Sequence, residues 1–308
     1  MSIGSVAAAK EAIAKLLPRL GTHLHKGQAG RIGVVGGSLE YTGAPYFAAI
    51  SAYKAGADLV HVFCPLNAAP VIKGYSPELI VHPILKAIDG DQLGKEWEWL
   101  ERMHGVVFGP GLGRDPAILT LVRSLLQRLA QLAIPIVIDA DGLYFYGELG
   151  KEASLPADRS HFILTPNVVE YRRLQDIFAP STTLASDLVK ALEGEGGSGP
   201  GLTLVAKGAA DIISTKLSDA QVQVSVPGSP RRCGGQGDLL SGTMALFAAY
   251  ARQQCPATPV EAAAGASALT RLCAARSFAA QGRGTITGDL IQHIPSVIKE
   301  IDSSSFSL

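Results

Sequence analysis

The amino-acid sequence predicts an α/β protein with a central, mostly parallel sheet. Three observations carry that prediction. Short aliphatic runs, among them Arg31–Val35, Leu59–Phe63 and Gly105–Phe108, alternate with longer stretches of helical spacing. Several runs end in glycine-rich or polar turns, as at Gly36-Gly37-Ser38, Gly109–Arg114 and Asp139–Gly142. The order strand, turn, helix, strand is the rhythm of βαβ units, whose strands lie parallel.

Taken in order, Ala7–Leu17 has helical spacing broken by Lys10, Glu11 and Lys15. A secretory signal has an unbroken apolar core, so a surface helix is expected here, with a mitochondrial presequence left open. Lys26–Gly30 reads as a turn before the strand Arg31–Val35. The alanine-rich stretch Ala44–Ala55 predicts a close-packing helix, and Leu59–Phe63 the next strand. Leu79–His82 continues the pattern, followed by a polar helix over Gln92–Met103 and the strand Gly105–Phe108. An amphipathic helix over Pro116–Leu132 leads to Ile136–Ile138, and His161–Leu164 is a further strand. Glu193–Gly201 is glycine-rich and predicts a mobile loop before the strand Leu202–Ala206. Asp211–Ser214 and Val222–Val226 predict a hairpin, and the remainder is helical over Leu239–Arg252, Val260–Phe278 and Leu290–Ile301. No fixed-period repeat appears, so residues 1–308 are expected to form a single domain.

Composition narrows the function classes. Lys plus Arg and Asp plus Glu each number 27, so net charge is zero and gives no sign of nucleic acid or an anionic membrane as partner. No apolar run is long enough to cross a bilayer, and the expected compartment is the cytoplasm, a mitochondrial form being left open. The four cysteines, Cys64, Cys233, Cys255 and Cys273, form no Cys-x-x-Cys pair, which argues against zinc and against a disulfide framework. Of the histidines only His23 and His25 are close in sequence, which is not metal-ligand spacing.

The stretch Arg231-Arg232-Cys233-Gly234-Gly235-Gln236-Gly237-Asp238 runs directly into an apolar helix. Its glycines and the helix N-terminus aim backbone N–H groups at one point, which attracts an anion. A carboxylate behind such donors repels phosphate unless it has its own task, and a general base for a hydroxyl that attacks a phosphoryl group is such a task. The plainer alternative for Asp238 is an acidic cap.

Four other constellations sit at strand ends, where open α/β sheets collect ligands. Gly109-Pro110-Gly111-Leu112-Gly113 has the wrong spacing for a dinucleotide fingerprint, leaving a loop approached closely by a ligand or a plain strand-to-helix turn. Asn167 and Glu170 share one helix face, to meet a ligand or to form a capping box. Lys207 closes a strand, where an ammonium meets a phosphate as a point charge; the plainer alternative is a solvated turn lysine. Asp139 and Asp141 offer carboxylates to Mg²⁺ through water, or Asp141 simply caps a helix.

Together these motifs, with Tyr41–Pro45, resemble the ATP-dependent NAD(P)H-hydrate dehydratase family over about Lys26–Asp289. The resemblance implies a ribokinase-like fold, with helices on both faces of the sheet. It implies an ATP-using hydro-lyase that repairs hydrated NADH and NADPH, with Mg²⁺ accompanying ATP, and the arginine-glycine stretch is similar to the eukaryotic branch. It also implies residue roles. Gly111, Asn167, Val168, Val169, Glu170, Tyr171, Arg172 and Arg173 would contact the hydrate, which Asp238 would face. Lys207, Gly208, Ala209, Ala210 and Asp211 would contact ATP, as would Gly228, Ser229, Pro230, Arg231, Arg232, Cys233, Gly234, Gly235, Gln236 and Gly237. Metal ligands and oligomeric state stay unassigned, homo-oligomerisation being compatible with the sequence. The alternatives are a kinase of the same fold that releases a stable phosphoester and a nucleotide-binding module without turnover; a dehydrogenase lacks the fingerprint.

Overall fold

The computed structural model describes residues 2–21, 25–85, 97–182, 184–194, 200–216, 218–255 and 257–302. The chain opens with β1 (Ser2–Ile3) and α1 (Val6–Ala14), then alternates through β2 (Arg31–Val35), α2 (Gly43–Lys54), β3 (Leu59–Cys64), α3 (Ala69–Tyr75) and β4 (Ile80–Pro83). The helix expected over Gln92–Met103 is described only as α4 (Trp97–Leu100), its first half lying outside the described residues. After it come β5 (Gly105–Phe108), a single 3-10 turn over Pro116–Ile118, α5 (Leu119–Gln131), β6 (Ile136–Ile138), α6 (Asp141–Lys151) and β7 (Phe162–Leu164). The chain continues through α7 (Val168–Phe178), α8 (Ala185–Glu193), β8 (Thr203–Ala206), β9 (Asp211–Thr215) and β10 (Ser218–Val224). The last helices are α9 (Gln236–Gln253), α10 (Pro259–Gln281) and α11 (Thr287–Ile301). Of the loop expected over Glu193–Gly201, residues 195–199 lie outside the described residues.

The ten strands among the described residues join one sheet in the order β1-β10-β9-β8-β7-β6-β5-β2-β3-β4. Every adjacent pair is parallel except β8 with β9 and β9 with β10, so β9 alone runs against the rest. That antiparallel strand is the expected hairpin, while β1 and α3 went unread in the sequence.

Strand alternation divides the core into two layers. Val107, Val137 and Ile163 face the side covered by α1, α2, α9, α10 and α11. Their neighbours Phe108, Ile138 and Phe162 face α4 to α8. Both faces being covered explains why these strands read as near-continuous apolar runs. Helix α9 is buried all round from Leu239 to Tyr250 because it packs between the sheet, α2 and α10. Its N-terminus therefore has a fixed position, pointing at the carboxyl ends of the central strands. No described helix is long and apolar enough to cross a membrane.

Candidate functional site

The turns at the strand ends separate into two groups. Those after β2 and β5 pack on each other: Gly37 N–H donates to the Pro110 carbonyl at 2.9 Å. Those after β6, β7 and β8 instead border an open cleft of about 1040 Å³, closed on its other sides by the loop before α9 and by α10.

At the floor of the cleft lies Asp139, directly after β6 and almost wholly buried. Its Oδ1 accepts from Thr165 Oγ1 at 2.7 Å and from Lys207 Nζ at 2.8 Å. Three adjacent parallel strands thus deliver these three side chains to one point. Burial disfavours the Lys207 ammonium, but Asp139 and then Glu170 overcome it and raise its pKa, so Lys207 stays charged. Glu170 lines the same cleft, and burial raises its carboxyl against the pull of Lys207.

Asn167 and Glu170 form a complete capping box. Asn167 Oδ1 accepts from Val169 and Glu170 N–H at 2.9 and 3.0 Å, and Glu170 Oε2 accepts from Asn167 N–H at 2.8 Å. The two sequence readings are therefore compatible: both residues cap α7 and both line the cleft. Val168 and Val169 line it too and are exposed, apolar side chains at the mouth of a polar site.

Asp238 stands at the third position of α9, and the helix is capped by Gly235 in the left-handed region rather than by Asp238. Among the described residues, no donor hydrogen-bonds its carboxylate. Burial, then the nearby Asp139 carboxylate, push the Asp238 carboxyl well above the usual carboxylate range, with Lys207 opposing. A half-buried carboxylate without a donor, beside a charged lysine and a helix N-terminus, is suited to taking a proton from a ligand hydroxyl.

The opposite wall comes from the other predicted segments. Gly208, Ala209 and Asp211 line the cleft, as do Gly228, Ser229, Pro230, Arg232, Cys233, Gly235, Gln236 and Gly237. Arg232 reaches across to the Gly208 carbonyl at 3.5 Å, whereas Arg231 turns away and its Nε donates to the Thr285 carbonyl at 3.3 Å. Of the two arginines, only Arg232 lines this cleft. Gly111, Tyr171, Arg172, Arg173, Ala210, Arg231 and Gly234 do not line it.

The sequence reading missed Arg271, which lies on α10 and lines the cleft. It grips Asp211 through Nε and Nη2 at 2.9 and 3.0 Å, and donates to the Ala209 and Gly208 carbonyls at 2.9 and 3.0 Å. Asp211 in turn accepts from Gly208 N–H at 3.1 Å. Arg271 therefore fixes the turn that follows Lys207. Its only trace in the sequence was an arginine within an alanine-rich helix, where a second one, Arg276, pairs instead with Glu300.

Among the described residues there is no group of three or more His, Cys, Asp or Glu side chains that could hold a metal ion. Asp141 is engaged with Gly113 N–H at 3.0 Å and Arg114 Nε at 2.9 Å. What the cleft does offer is two carboxylates, Asp139 and Glu170, beside an anion-seeking loop. That donor set suits Mg²⁺ arriving on a polyphosphate, since Mg²⁺ keeps several waters and takes few protein ligands.

A family model described as NAD(P)H-hydrate dehydratase matches residues 32–296. A protein of Ciona intestinalis named ATP-dependent (S)-NAD(P)H-hydrate dehydratase is 49% identical over 288 residues, covering 92% of this chain and 78% of the relative. The zebrafish (Danio rerio) protein of the same name is 46% identical over 296 residues, covering 94% and 87%. Among solved structures, a ribokinase-like superfamily protein of Enterococcus faecalis superposes with a TM-score of 0.74 at 21% identity, over 95% of each chain. The Bacillus subtilis ADP/ATP-dependent NAD(P)H-hydrate dehydratase, co-crystallised with ATP/Mg²⁺, superposes with a TM-score of 0.70 at 20% identity, over 95% and 97%. These two structures carry the fold comparison, and the sequence relatives carry the family.

Proposed function

The chain belongs to the NAD(P)H-hydrate dehydratase family, and we propose that it uses ATP to dehydrate the hydrated nicotinamide ring of (S)-NADHX and (S)-NADPHX, releasing NAD(P)H, ADP and phosphate. Residues 1–308 act as one catalytic unit in this reading, supported by the single sheet that runs from β1 to β4.

The observation that carries the mechanism is the Asp238 carboxylate, in the first turn of α9 and lining the cleft, raised in pKa and without a hydrogen-bond donor among the described residues. Water added across the ring leaves a hydroxyl, and hydroxide is a poor leaving group. Asp238 takes the hydroxyl proton as that oxygen attacks the γ-phosphorus and the bond to ADP breaks. The N–H groups of the Gly235–Gly237 turn, Arg232 and Lys207 stabilise charge on the transferring group. Phosphate then leaves the ring carbon as the ring nitrogen donates its lone pair, and loss of a proton from the neighbouring carbon restores the dihydronicotinamide. Mg²⁺ accompanying ATP would supply neutralisation of phosphate charge, and Asp139 and Glu170 would hold it through its waters.

Asp238→Asn tests the assignment. Expected is a loss of about 10²- to 10⁴-fold in hydrate-dependent ATP cleavage, the range for removing a general base, with parallel loss of NADH absorbance recovery. The active form of the base is the carboxylate, so turnover falls as pH drops through its pKa. Because that pKa is raised, the fall sets in above the ordinary carboxylate range. A folded Asp238→Asn enzyme with near-normal turnover rejects the role. Accumulation of a stable phosphoester in place of phosphate and NADH would identify a kinase instead.

A further inference from the structure

Beside the cleft, on the α6 and α7 side, two arginines from distant parts of the chain are held over one aromatic ring. The guanidinium carbon of Arg114, from the loop after β5, lies 5.2 Å from the centroid of Tyr144, and that of Arg173, on α7, lies 5.6 Å from it. A ring face attracts a cation and restrains it without using its N–H donors. Arg114 gives only Nε to Asp141, at 2.9 Å, which leaves both terminal amino groups available, and its side chain is 49% exposed. Arg173 makes no hydrogen bond or ion pair among the described residues. Two guanidinium groups are thus pre-positioned with most of their donors unused.

This shelf adjoins the reacting groups. Arg114 is near enough to Glu170 to lower its pKa, and Asp141 near enough to Asp238 to raise that of its carboxyl. Two carboxylates of this neighbourhood, Asp141 and Glu170, have partners of their own. Asp141 is already tied to Arg114 and to Gly113 N–H, and Glu170 to Asn167 N–H. Among the described residues, no carboxylate pairs with Arg173.

We infer that Arg114 and Arg173, braced by Tyr144, form an anion shelf that binds a phosphate group of the dinucleotide hydrate and so holds the ring hydroxyl toward Asp238. The inference rests on the dehydratase reading above and extends it to substrate recognition. Arginine suits the task because its planar fork matches phosphate oxygens two at a time. A dinucleotide offers two sources of that chemistry: the pyrophosphate, present in both hydrates, and the 2′-phosphate, present only in hydrated NADPH.

The test compares Arg114→Gln, Arg173→Gln and the double variant with each purified hydrate at saturating ATP. Expected is a rise of about tenfold in the hydrate KM for each single variant, as for loss of one charge-assisted contact, with kcat within about twofold and the ATP KM unchanged. Equal rises for both hydrates assign the shelf to the pyrophosphate. A rise confined to the NADPH hydrate assigns it to the 2′-phosphate. An unchanged hydrate KM in all three variants overturns the inference, as does a fall in kcat with an equal rise in the ATP KM, the mark of general damage. Should Arg114→Gln lose stability through its link to Asp141, Arg173→Gln decides alone, since Arg173 supports no such link. A second measurement separates this inference from the reading beneath it. Titration of inorganic pyrophosphate into the wild type and the double variant, with ADP saturating the nucleotide cleft, reads the shelf without turnover. Equal binding by both overturns the shelf even where the wild type dehydrates both hydrates. Weaker binding by the double variant supports the shelf even where dehydration fails.

Discussion

In the Gly109–Gly113 loop a side chain added at Gly109 or Gly111 would meet backbone, whereas at Gly234 it would meet open space and at Gly237 only side-chain ends that face the cleft. A Cβ on Gly109 would lie 1.9 Å from the Asp139 carbonyl oxygen, and one on Gly111 would lie 2.7 Å from that of Tyr41. A Cβ on Gly234 would meet nothing within 4 Å, and one on Gly237 only the Lys207 ammonium at 3.3 Å and an Asp139 carboxylate oxygen at 3.8 Å. Glycine density in a loop is therefore no guide to ligand binding by itself. The first loop uses its glycines to bring β5 against the start of α6, which fixes Asp139 and Asp141. The second packs only Gly235, at φ 95°, against Thr287 and Phe47, and leaves the Cα positions of Gly234 and Gly237 free of backbone neighbours, as close approach of a phosphate to N–H groups requires.

The largest effect expected from this contrast is Gly109→Ala. Positive φ, at 125°, and collision with a backbone oxygen act together. Strain and overpacking sum to about 4 kcal/mol, a large part of the stability of an ordinary domain. Soluble yield and thermal midpoint should collapse before activity can be measured. A variant that melts like the wild type would dissolve the distinction between the loops.

Gly237→Ala should act in the opposite sense on stability. The position lies in the first turn of α9 at ordinary φ, so replacing glycine there adds up to about 1 kcal/mol of helix preference. The methyl group projects beside Lys207 into the cleft. The ATP KM should rise about tenfold, equivalent to about 1.4 kcal/mol, while the thermal midpoint holds or increases. Kinetics at varied ATP, beside a melting curve, check both halves.

The same contrast explains what could be read from the chain beforehand. Local signals carried most of the fold: β2, β3, β5, β6 and β7 are apolar runs because both sheet faces are covered, and α9 is apolar all round because it lies between layers. Short elements escaped notice. β1 has two residues and exists only by pairing with β10, while α3 contains Pro70 and Gly74, which read as turn residues. For the site, Asp238, Lys207 and the Asn167–Glu170 box were visible because each lies at an element boundary, where spacing and capping chemistry leave a pattern. Arg271 was not, because its partner Asp211 is 60 residues away and only the α10 packing brings them together. The orientation of Arg231 and Arg232 was equally hidden, since adjacent residues on a loop carry no periodicity.

The smallest expected effect is also the one that defines the anion site most narrowly. Gly234 lies outside the lining of the cleft, yet it begins the turn whose later members, Gly235, Gln236 and Gly237, do line it. Its carbonyl accepts from Thr287 Oγ1, which ties the turn to the start of α11 and leaves only the N–H side free for a ligand. With no atom near the added Cβ and no positive φ, Gly234→Ala should leave stability within about 0.5 kcal/mol of the wild type. If the phosphates lie against the helix N-terminus, the ATP KM should rise by no more than about threefold, well below the change at Gly237. An equal rise at both positions would place the phosphates over the whole turn from Gly234 onward, and the anion site would then be a loop rather than a helix terminus.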